Sequence, residues 1–271
     1  MVLPTIGRES LHRALKSIFD QTIPPSKIFV IDDSEKQNIY FEDDGLIEVK
    51  KTGGLQGPSI SRNLGMGSSK SDWVAFLDDD DSWMPNHLES ILNFCVNNKL
   101  DAAYSSAFVN GKIRPNDIYD GSVDPLISVY KKRNWLKTKM YFPTPGLVIS
   151  RAVVEHLPFN INLKEREDLW FAHKLYEYQF KIAQSKSPTV IVNAQESRSI
   201  SRTNLIKDIE WSERLELVSK KASDNFLSGI AFRNAFIRKD WDAIYSIARK
   251  FTKDNPIYLI IFLLLKFVRK F

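Results

Sequence analysis

Apolar positions recur along this chain with two different periods, and each change of period marks an element. Met1-Val2-Leu3 is a short apolar start closed by Pro4-Thr5. Leu11, Leu15, Ile18 and Phe19 then follow at i, i+4, i+7 and i+8, the spacing of a helix with one buried face. Pro24-Pro25 ends that helix. Ile28-Phe29-Val30-Ile31 reads as a strand buried on both faces and closed by Asp32-Asp33, and Leu46-Ile47-Glu48-Val49 as a third strand. The Gly53-Gly54-Leu55-Gln56-Gly57-Pro58 loop leads into a helix carrying Ile60, Arg62, Asn63 and Leu64, with the proline in its first turn. Trp73-Val74-Ala75-Phe76-Leu77 is the next strand, and Pro85 opens a helix with Leu88, Ile91, Leu92 and Cys95 on its stripe. This βα alternation predicts a largely parallel sheet.

Past residue 100 the pattern changes. Residues 102–109 read as a strand, Leu147-Val148-Ile149 as another, and 180–183 and 189–192 as two more. Between them lie a polar loop, a basic and aromatic segment at 130–141 and the Phe142-Pro143-Thr144-Pro145-Gly146 turn. Glu165-Arg166-Glu167-Asp168 introduces a helix carrying Leu169, Trp170, Ala172, His173 and Leu175, and from Leu205 onward the periodicity is helical only. The expected division is therefore an α/β domain over 1–204 and a helical region over 205–271. The run from Ile257 to Leu265 is shorter than the roughly 20 residues that cross a bilayer. It reads either as a core helix or as an interfacial helix held by Lys266, Arg269 and Lys270 to anionic headgroups.

Charge adds a location. The chain has 271 residues and a formal net charge of +5, a mild excess that fits nucleic acid, a membrane surface or an anionic small molecule. Acids dominate the loops between Asp32 and Asp81, whereas bases collect at Lys131, Lys132, Arg133, Lys137, Lys139 and the C-terminus. An acidic cleft repels phosphate, so nucleic acid is not expected as a partner. Cys95 is the single cysteine, so no intrachain disulfide forms, and its place on a helical stripe marks it as buried filler in a reducing compartment. No secretory signal opens the chain.

The candidate chemistry sits where the Trp73 strand ends in Asp78-Asp79-Asp80-Asp81. Open α/β sheets bind ligands at that carboxyl edge. Four adjacent carboxylates repel one another unless a hard cation with oxygen ligands relieves them. The bland alternative is a solvated acidic loop before the Pro85 helix. Asp32-Asp33, arriving from another strand, would meet the cluster at one edge, which solubility does not require.

Taken together these residues resemble family 2 glycosyltransferases, the inverting group with the GT-A fold. The resemblance rests on Leu3-Pro4-Thr5-Ile6-Gly7-Arg8, on Gln21-Thr22 with Val30-Ile31-Asp32-Asp33-Ser34, and on Ser61-Arg62-Asn63-Leu64-Gly65. Phe76-Leu77-Asp78-Asp79-Asp80-Asp81 is similar to the DxD element and Glu167-Asp168 to the later acidic pair. It implies an α/β fold with a Rossmann-like mixed sheet flanked by helices, and a nucleotide-sugar donor, most often a UDP-sugar. Pro4 and Thr5 would line the base, with Asp33 accepting a hydrogen bond from a uracil nitrogen and Arg62 near the nucleotide. Asp78 and Asp79 would contact ribose and sugar hydroxyls, and Asp80 would bind Mn²⁺ or Mg²⁺. Asp168 would be the base that takes the acceptor hydroxyl's proton, kept ionised by its place at a helix N-terminus. Asp81 would be a supporting residue at the helix entry.

Two departures from the family pattern matter. Residues 193–201 hold no histidine, a further metal ligand in many relatives, so His12, His87, His156 and His173 are expected to be structural or surface residues. The first strand is unusually short, or other residues precede it. The implied acceptor is a glycan or lipid-linked oligosaccharide, and 135–146 is the segment expected to face it. The implied setting is bacterial surface-polysaccharide assembly (O-antigen, lipopolysaccharide or capsule) at the cytoplasmic face of the plasma membrane, with peripheral contact through 256–271. No multi-helix region of a processive synthase follows. Competing readings are a haloacid-dehalogenase-like phosphatase, whose motif belongs on a first strand, and a non-catalytic carbohydrate- or membrane-binding module. A calcium loop lacks its glycine at Trp83, and a dinucleotide fold lacks G-x-G-x-x-G.

Overall fold

The computed structural model describes residues 1–36, 38–41, 45–130, 142–163, 165–193, 205–251, 257–258 and 260–261. The basic residues between 131 and 139, most of 135–146, residues 194–201 and the tail beyond 261 lie outside the described residues. In chain order the elements are β1 (Val2–Thr5), α1 (Leu11–Phe19), β2 (Ile28–Asp32), β3 (Ile47–Lys51), α2 (Pro58–Ser68), β4 (Trp73–Ala75), β5 (Ser82–Trp83), α3 (His87–Asn97), β6 (Ala102–Val109) and β7 (Lys112–Arg114). There follow α4 (Pro125–Val129), a 3-10 turn at Thr144–Gly146, β8 (Leu147–Ser150), α5 (Arg151–His156), α6 (Glu167–Glu177) and β9 (Ile182–Val192). The helices α7 (Leu205–Val218), α8 (Lys220–Phe226), α9 (Phe232–Arg238) and α10 (Trp241–Lys250) come last, with a π-helical turn at Leu227–Ala231. Two compact units divide the chain: Met1–Pro125 with Lys139–Ser201, and Leu126–Thr138 with Arg202–Phe271.

In the first unit every residue of β2 is buried, so both faces of its sheet must be covered. Leu3, Ile28 and Val30 share one cluster with Leu11, Leu15 and Ile18 of α1 and Leu88, Ile91 and Cys95 of α3. On the other face α2 crosses β1 at Gly65. A Cβ built on Gly65 lies 2.3 Å from Val2 Cγ1, so only glycine lets helix and strand approach this closely. The stripe of α1 differs from the expected one by a residue: Ala14 is buried and Phe19 is 49% exposed. At 100° per residue Phe19 lies on the stripe's edge, and Ala14 lies nearer its centre.

The sheet is parallel only in its first half. β1, β2 and β3 pair in parallel, with Thr5 opposite Asp32, and Val2 forms a parallel bridge to Phe76 just past β4. Beyond that bridge the order is β4-β8-β6-β9-β5, with β4–β8, β6–β8 and β5–β9 antiparallel and β6–β9 parallel. The expectation of a largely parallel sheet thus fails after β4, where β8 runs against both β4 and β6, and β5 against β9. The two strands expected at 180–183 and 189–192 are one, β9. Lys186, Ser187 and Pro188 look like a break, but two register shifts around Ser106 absorb them within a single pairing. Cys95 is buried filler as expected, its thiol pushed up to about 12 by burial.

The second unit packs Trp211, Leu215, Phe226, Phe232, Ile244, Ile247 and Phe251 inward. Trp211 Nε1 donates to the Tyr130 hydroxyl at 3.1 Å, and Tyr130 meets the edge of Phe226 at 5.4 Å. Ser219 and Asp240 cap α8 and α10, accepting from Ala222 N and Ala243 N. Tyr258 is fully buried against Phe232 and Phe251, while Ile257 and Ile260 are exposed, so the start of the apolar tail joins this core on one face. Among the described residues no helix is long and apolar enough to cross a membrane.

Gly65→Ala should destabilise the fold by about 1–3 kcal/mol, the usual range for overpacking. Urea denaturation measures this, and a midpoint equal to that of the unsubstituted chain would show that helix and strand can separate at no cost.

Candidate active site

Parallel pairing of β1 and β2, together with the Val2–Phe76 bridge, brings the ends of three strands to one edge. The four acids do not run straight into a helix. Asp81 N donates to Asp78 O at 3.2 Å, closing a turn that leads into β5. There Ser82 pairs with Ile191, and Trp83 Nε1 donates to Pro145 O at 2.6 Å. The cluster is a turn held at both ends, where the bland reading had a free acidic loop.

Inside the turn the acids have different surroundings. Asp79 is almost wholly engaged: Oδ2 accepts from the Thr5 hydroxyl at 2.7 Å and Ile6 N at 3.2 Å, and Oδ1 from Arg8 Nη1 at 2.6 Å. Arg8 also reaches Asp80 Oδ2 at 3.0 Å, and Arg13 donates to the Asp80 carbonyl at 2.9 Å. Burial raises the Asp80 carboxyl to about 6, helped by Asp78 and Asp79 and opposed by Arg8. Asp81 is pushed further, to about 8, first by burial and then by Asp78; the Asn193 amide, at 2.9 Å from Oδ1, works against the rise. Asn193 also donates its side-chain amide to the Asp80 carbonyl at 2.9 Å.

Arg62 links this turn to α6. Its Nη2 donates to Asp78 Oδ1 at 2.9 Å and its Nη1 to Glu167 Oε1 at 2.8 Å, with the arginine side chain only 5% exposed. Burial by itself would lower the guanidinium's pKa; Asp78 and Glu167 more than reverse that and raise it. The guanidinium carbon lies 5.5 Å from the centre of the Phe159 ring, which stacks on Phe171 of α6 at 4.0 Å. Next along α2, Asn63 uses both ends of its amide on the Phe159 backbone, at 2.9 and 2.7 Å. Consecutive residues of one helix thus fix both the loop before α6 and its first acid.

Asp168 stands beside Glu167 in the first turn of α6. It keeps some accessible surface, but protein surrounds its carboxyl, and burial followed by Glu167 raises it to about 7. The Leu169 amide at 2.7 Å and Arg62 oppose the rise, and Asp78 adds to it. The expected helix-terminus effect is therefore outweighed. Burial beside a second acid costs the ionised form more than one amide and a shared arginine return.

Asp33 has a third setting. Oδ1 accepts from the Thr52 hydroxyl and from Gln56 N at 2.7 Å, and Oδ2 from Gly57 N at 2.7 Å. It therefore ties down the glycine loop that precedes α2 and keeps roughly one of a carboxylate's four lone-pair sites for a ligand. Pro4, on β1 opposite Ile31, is partly buried, and the Thr5 hydroxyl is spent on Asp79. Sequence patterns missed Arg8, Asn193 and the pairing role of Glu167. Nothing local marks them, although the basic residue after Gly7 lies within the first motif.

The histidines stand apart from these acids. His87 is buried against Trp83 and the Thr189 hydroxyl, His173 pairs with Asp124 at 2.7 Å, and His12 and His156 are exposed. Among the described residues no group of three His, Cys, Asp or Glu is arranged to hold a metal ion. Asp80 nonetheless suits a hard cation. It is an oxygen donor beside two further acids, and its carboxyl is raised first by burial and then by Asp78, with Arg8 opposing.

A parallel half-sheet with acids at its carboxyl edge, joined to a mixed half that returns a second acidic pair to them, is the GT-A arrangement. Residues 1–157 match the glycosyl transferase family 2 model, and the chain belongs to that family. Membership removes the phosphatase alternative. Among its relatives is the poly(ribitol-phosphate) beta-N-acetylglucosaminyltransferase TarP of Staphylococcus aureus, 29% identical over 169 residues that cover 53% of this chain and 52% of TarP. Another is the UDP-Glc:alpha-D-GlcNAc-diphosphoundecaprenol beta-1,3-glucosyltransferase WfgD of Escherichia coli, 24% identical over 177 residues, 64% of this chain and 68% of WfgD. The fold is shared with S. aureus TarS 1-349 in complex with UDP-GlcNAc, at TM-score 0.62 and 17% identity over 92% of this chain and 80% of that one.

Arg62→Met leaves Glu167 and Asp78 without their counter-charge and should cost about 3–5 kcal/mol in urea denaturation. Adding Glu167→Gln should recover a large part of that loss, and no recovery would show that the pair does not hold α6. Asp168→Asn should raise stability in a pH-dependent way. A carboxyl raised in the fold stabilises fully below its ordinary 3.8 and loses that contribution as pH climbs through about 7. The gain from asparagine should thus be absent near pH 4 and present at pH 8; equal midpoints at both pH values would contradict the raised pKa.

Proposed function

We propose that this chain transfers one sugar, a hexose or N-acetylhexosamine, from a UDP-sugar to a glycan or lipid-linked saccharide with inversion at the anomeric carbon. TarP, WfgD and the UDP-GlcNAc complex of TarS support that donor and acceptor class by their names. The observation that carries the proposal is the Asp78–Arg62–Glu167 bridge, which holds Asp168 against the acid turn. A base and a donor-binding edge that approach one sugar from opposite sides are what a single displacement requires.

Each group then has a job of its own. Asp168, with a pKa near the working pH, accepts the acceptor hydroxyl's proton as that oxygen attacks. Asp78, the most accessible of the four acids at 30%, is placed to accept from ribose or sugar hydroxyls. Asp79, with Arg8 and Thr5, shapes the floor of the site. Asp33 keeps the glycine loop in place and offers its remaining lone pair to the base. Asp80 would hold Mn²⁺ or Mg²⁺, which when bound neutralises charge on the departing diphosphate as a Lewis acid. The setting that fits is bacterial surface-polysaccharide assembly, with the chain peripheral on the inner face of the plasma membrane through 256–271.

Purified protein with a panel of UDP-sugars and undecaprenyl-diphosphate saccharides tests the reading. UDP release and an inverted linkage are expected, lost with EDTA and restored by Mn²⁺. Asp168→Asn should lower transfer by about a hundredfold or more, in keeping with loss of a general base, while UDP-sugar binding persists. Transfer falling below pH 7 should follow the same group. Saccharide binding without turnover by the unsubstituted chain would instead mark a binding module.

A further inference from the structure

The second unit carries an apolar corner that its own core leaves uncovered. Helix α9 buries Phe232 and Ala235, and α10 buries Ala243, Ile244, Ile247 and Ala248. The two helices join through Lys239 and Asp240, with Lys239 in the left-handed region (φ 57) and Asp240 N donating to Ala235 O at 2.9 Å. That tight turn holds the outward faces of both helix ends together. On them Phe236 is 61% exposed, Ile237 64% and Trp241 53%. Three large apolar side chains within six residues form a patch, not scattered exposure, and such patches mark interaction surfaces.

The charge around the corner selects the partner. Residues 219–251 carry seven Lys and Arg against three Asp, and one of those, Asp240, is occupied in capping α10. Residues 219–271 hold eleven bases against four acids, and residues 1–218 hold 27 against 29, so the chain's positive charge resides in this region. Arg233, Lys239, Lys220, Lys221, Arg249 and Lys250 are exposed, and Asp242 is the exposed acid at the tip. A second copy would bring like charge against like charge. Trp, Phe and Ile at a turn flanked by cations fit a bilayer surface, the apolar tips reaching the acyl boundary and the bases the phosphates.

We infer that the α9–α10 corner is an anchor for anionic membrane surface, with Phe236, Ile237 and Trp241 inserting and Arg233 and Lys239 meeting lipid phosphates. It is a determinant separate from the 256–271 tail. It rests on the reading of a membrane-borne acceptor for its purpose only, since its test does not pass through catalysis.

The full chain is sedimented with vesicles of phosphatidylcholine containing phosphatidylglycerol and with vesicles of phosphatidylcholine alone. Binding to the anionic vesicles is expected, weakened by salt. Phe236→Ser/Ile237→Ser/Trp241→Ser should lower vesicle affinity by about tenfold or more while leaving the melting curve and vesicle-free UDP release unchanged. Arg233→Gln/Lys239→Gln should lower affinity for anionic vesicles only. Wild-type affinity in the triple variant, or binding lost wholly on deleting 256–271 and untouched by the corner, overturns the inference. So does a dimer in sedimentation velocity that the triple variant abolishes. Vesicle binding that follows this pattern without any sugar transfer would leave the anchor standing and defeat the proposed reaction.

Discussion

A buried guanidinium between two carboxylates is the constraint on which the candidate site depends. Arg62 is removed from water and spans Asp78 and Glu167, so neither the acid turn nor the start of α6 can move without leaving a charge unpaired in the interior. Such a pair adds little stability compared with an apolar replacement, but breaking one side of it is expensive. Position is what it supplies. The sheet brings the acids to one edge; Arg62, Asn63 and the Phe159–Phe171 stack bring α6 and Asp168 to them.

The same acids show how burial and pairing divide labour among like residues. Asp79 and Asp33 are bound by three donors each and serve the architecture of the loops around them. Asp80, Asp81 and Asp168 lack that full compensation, and burial together with neighbouring acids pushes them to about 6, 8 and 7. Groups poised between protonation states near neutral pH are the ones able to exchange a proton or welcome a cation. Asp78 has Arg62 on one oxygen and a side chain that is 30% exposed.

Much of this was legible from period and punctuation. The buried run at β2, the glycine loop and proline before α2, the strand that stops at four acids and the acidic start of α6 all follow local rules, and each is present. Where reading failed, a distant partner had overruled a local signal. Pro188 looks like a break until β9 bulges on either side of it, opposite Ser106. Phe19 looks buried until Ala14 takes the face. Asp168 looks ionised at a helix start until its enclosure and Glu167 are counted.

By itself the sequence determined the elements, their order, the carboxyl edge on which the acids fall, and the families of chemistry those acids permit. Those are properties of neighbours in the chain, set by side-chain period and backbone preference. Only the tertiary structure decided which acid is spent and which is available. That depends on donors arriving from 16 to 105 residues away, Arg8 and Thr5 on Asp79 and Arg62 on Asp78 and Glu167, and on the water each carboxyl loses when they close around it. The stretch of four identical residues is one motif in sequence. In the fold it becomes four different acids, because pairing and burial differ at every position.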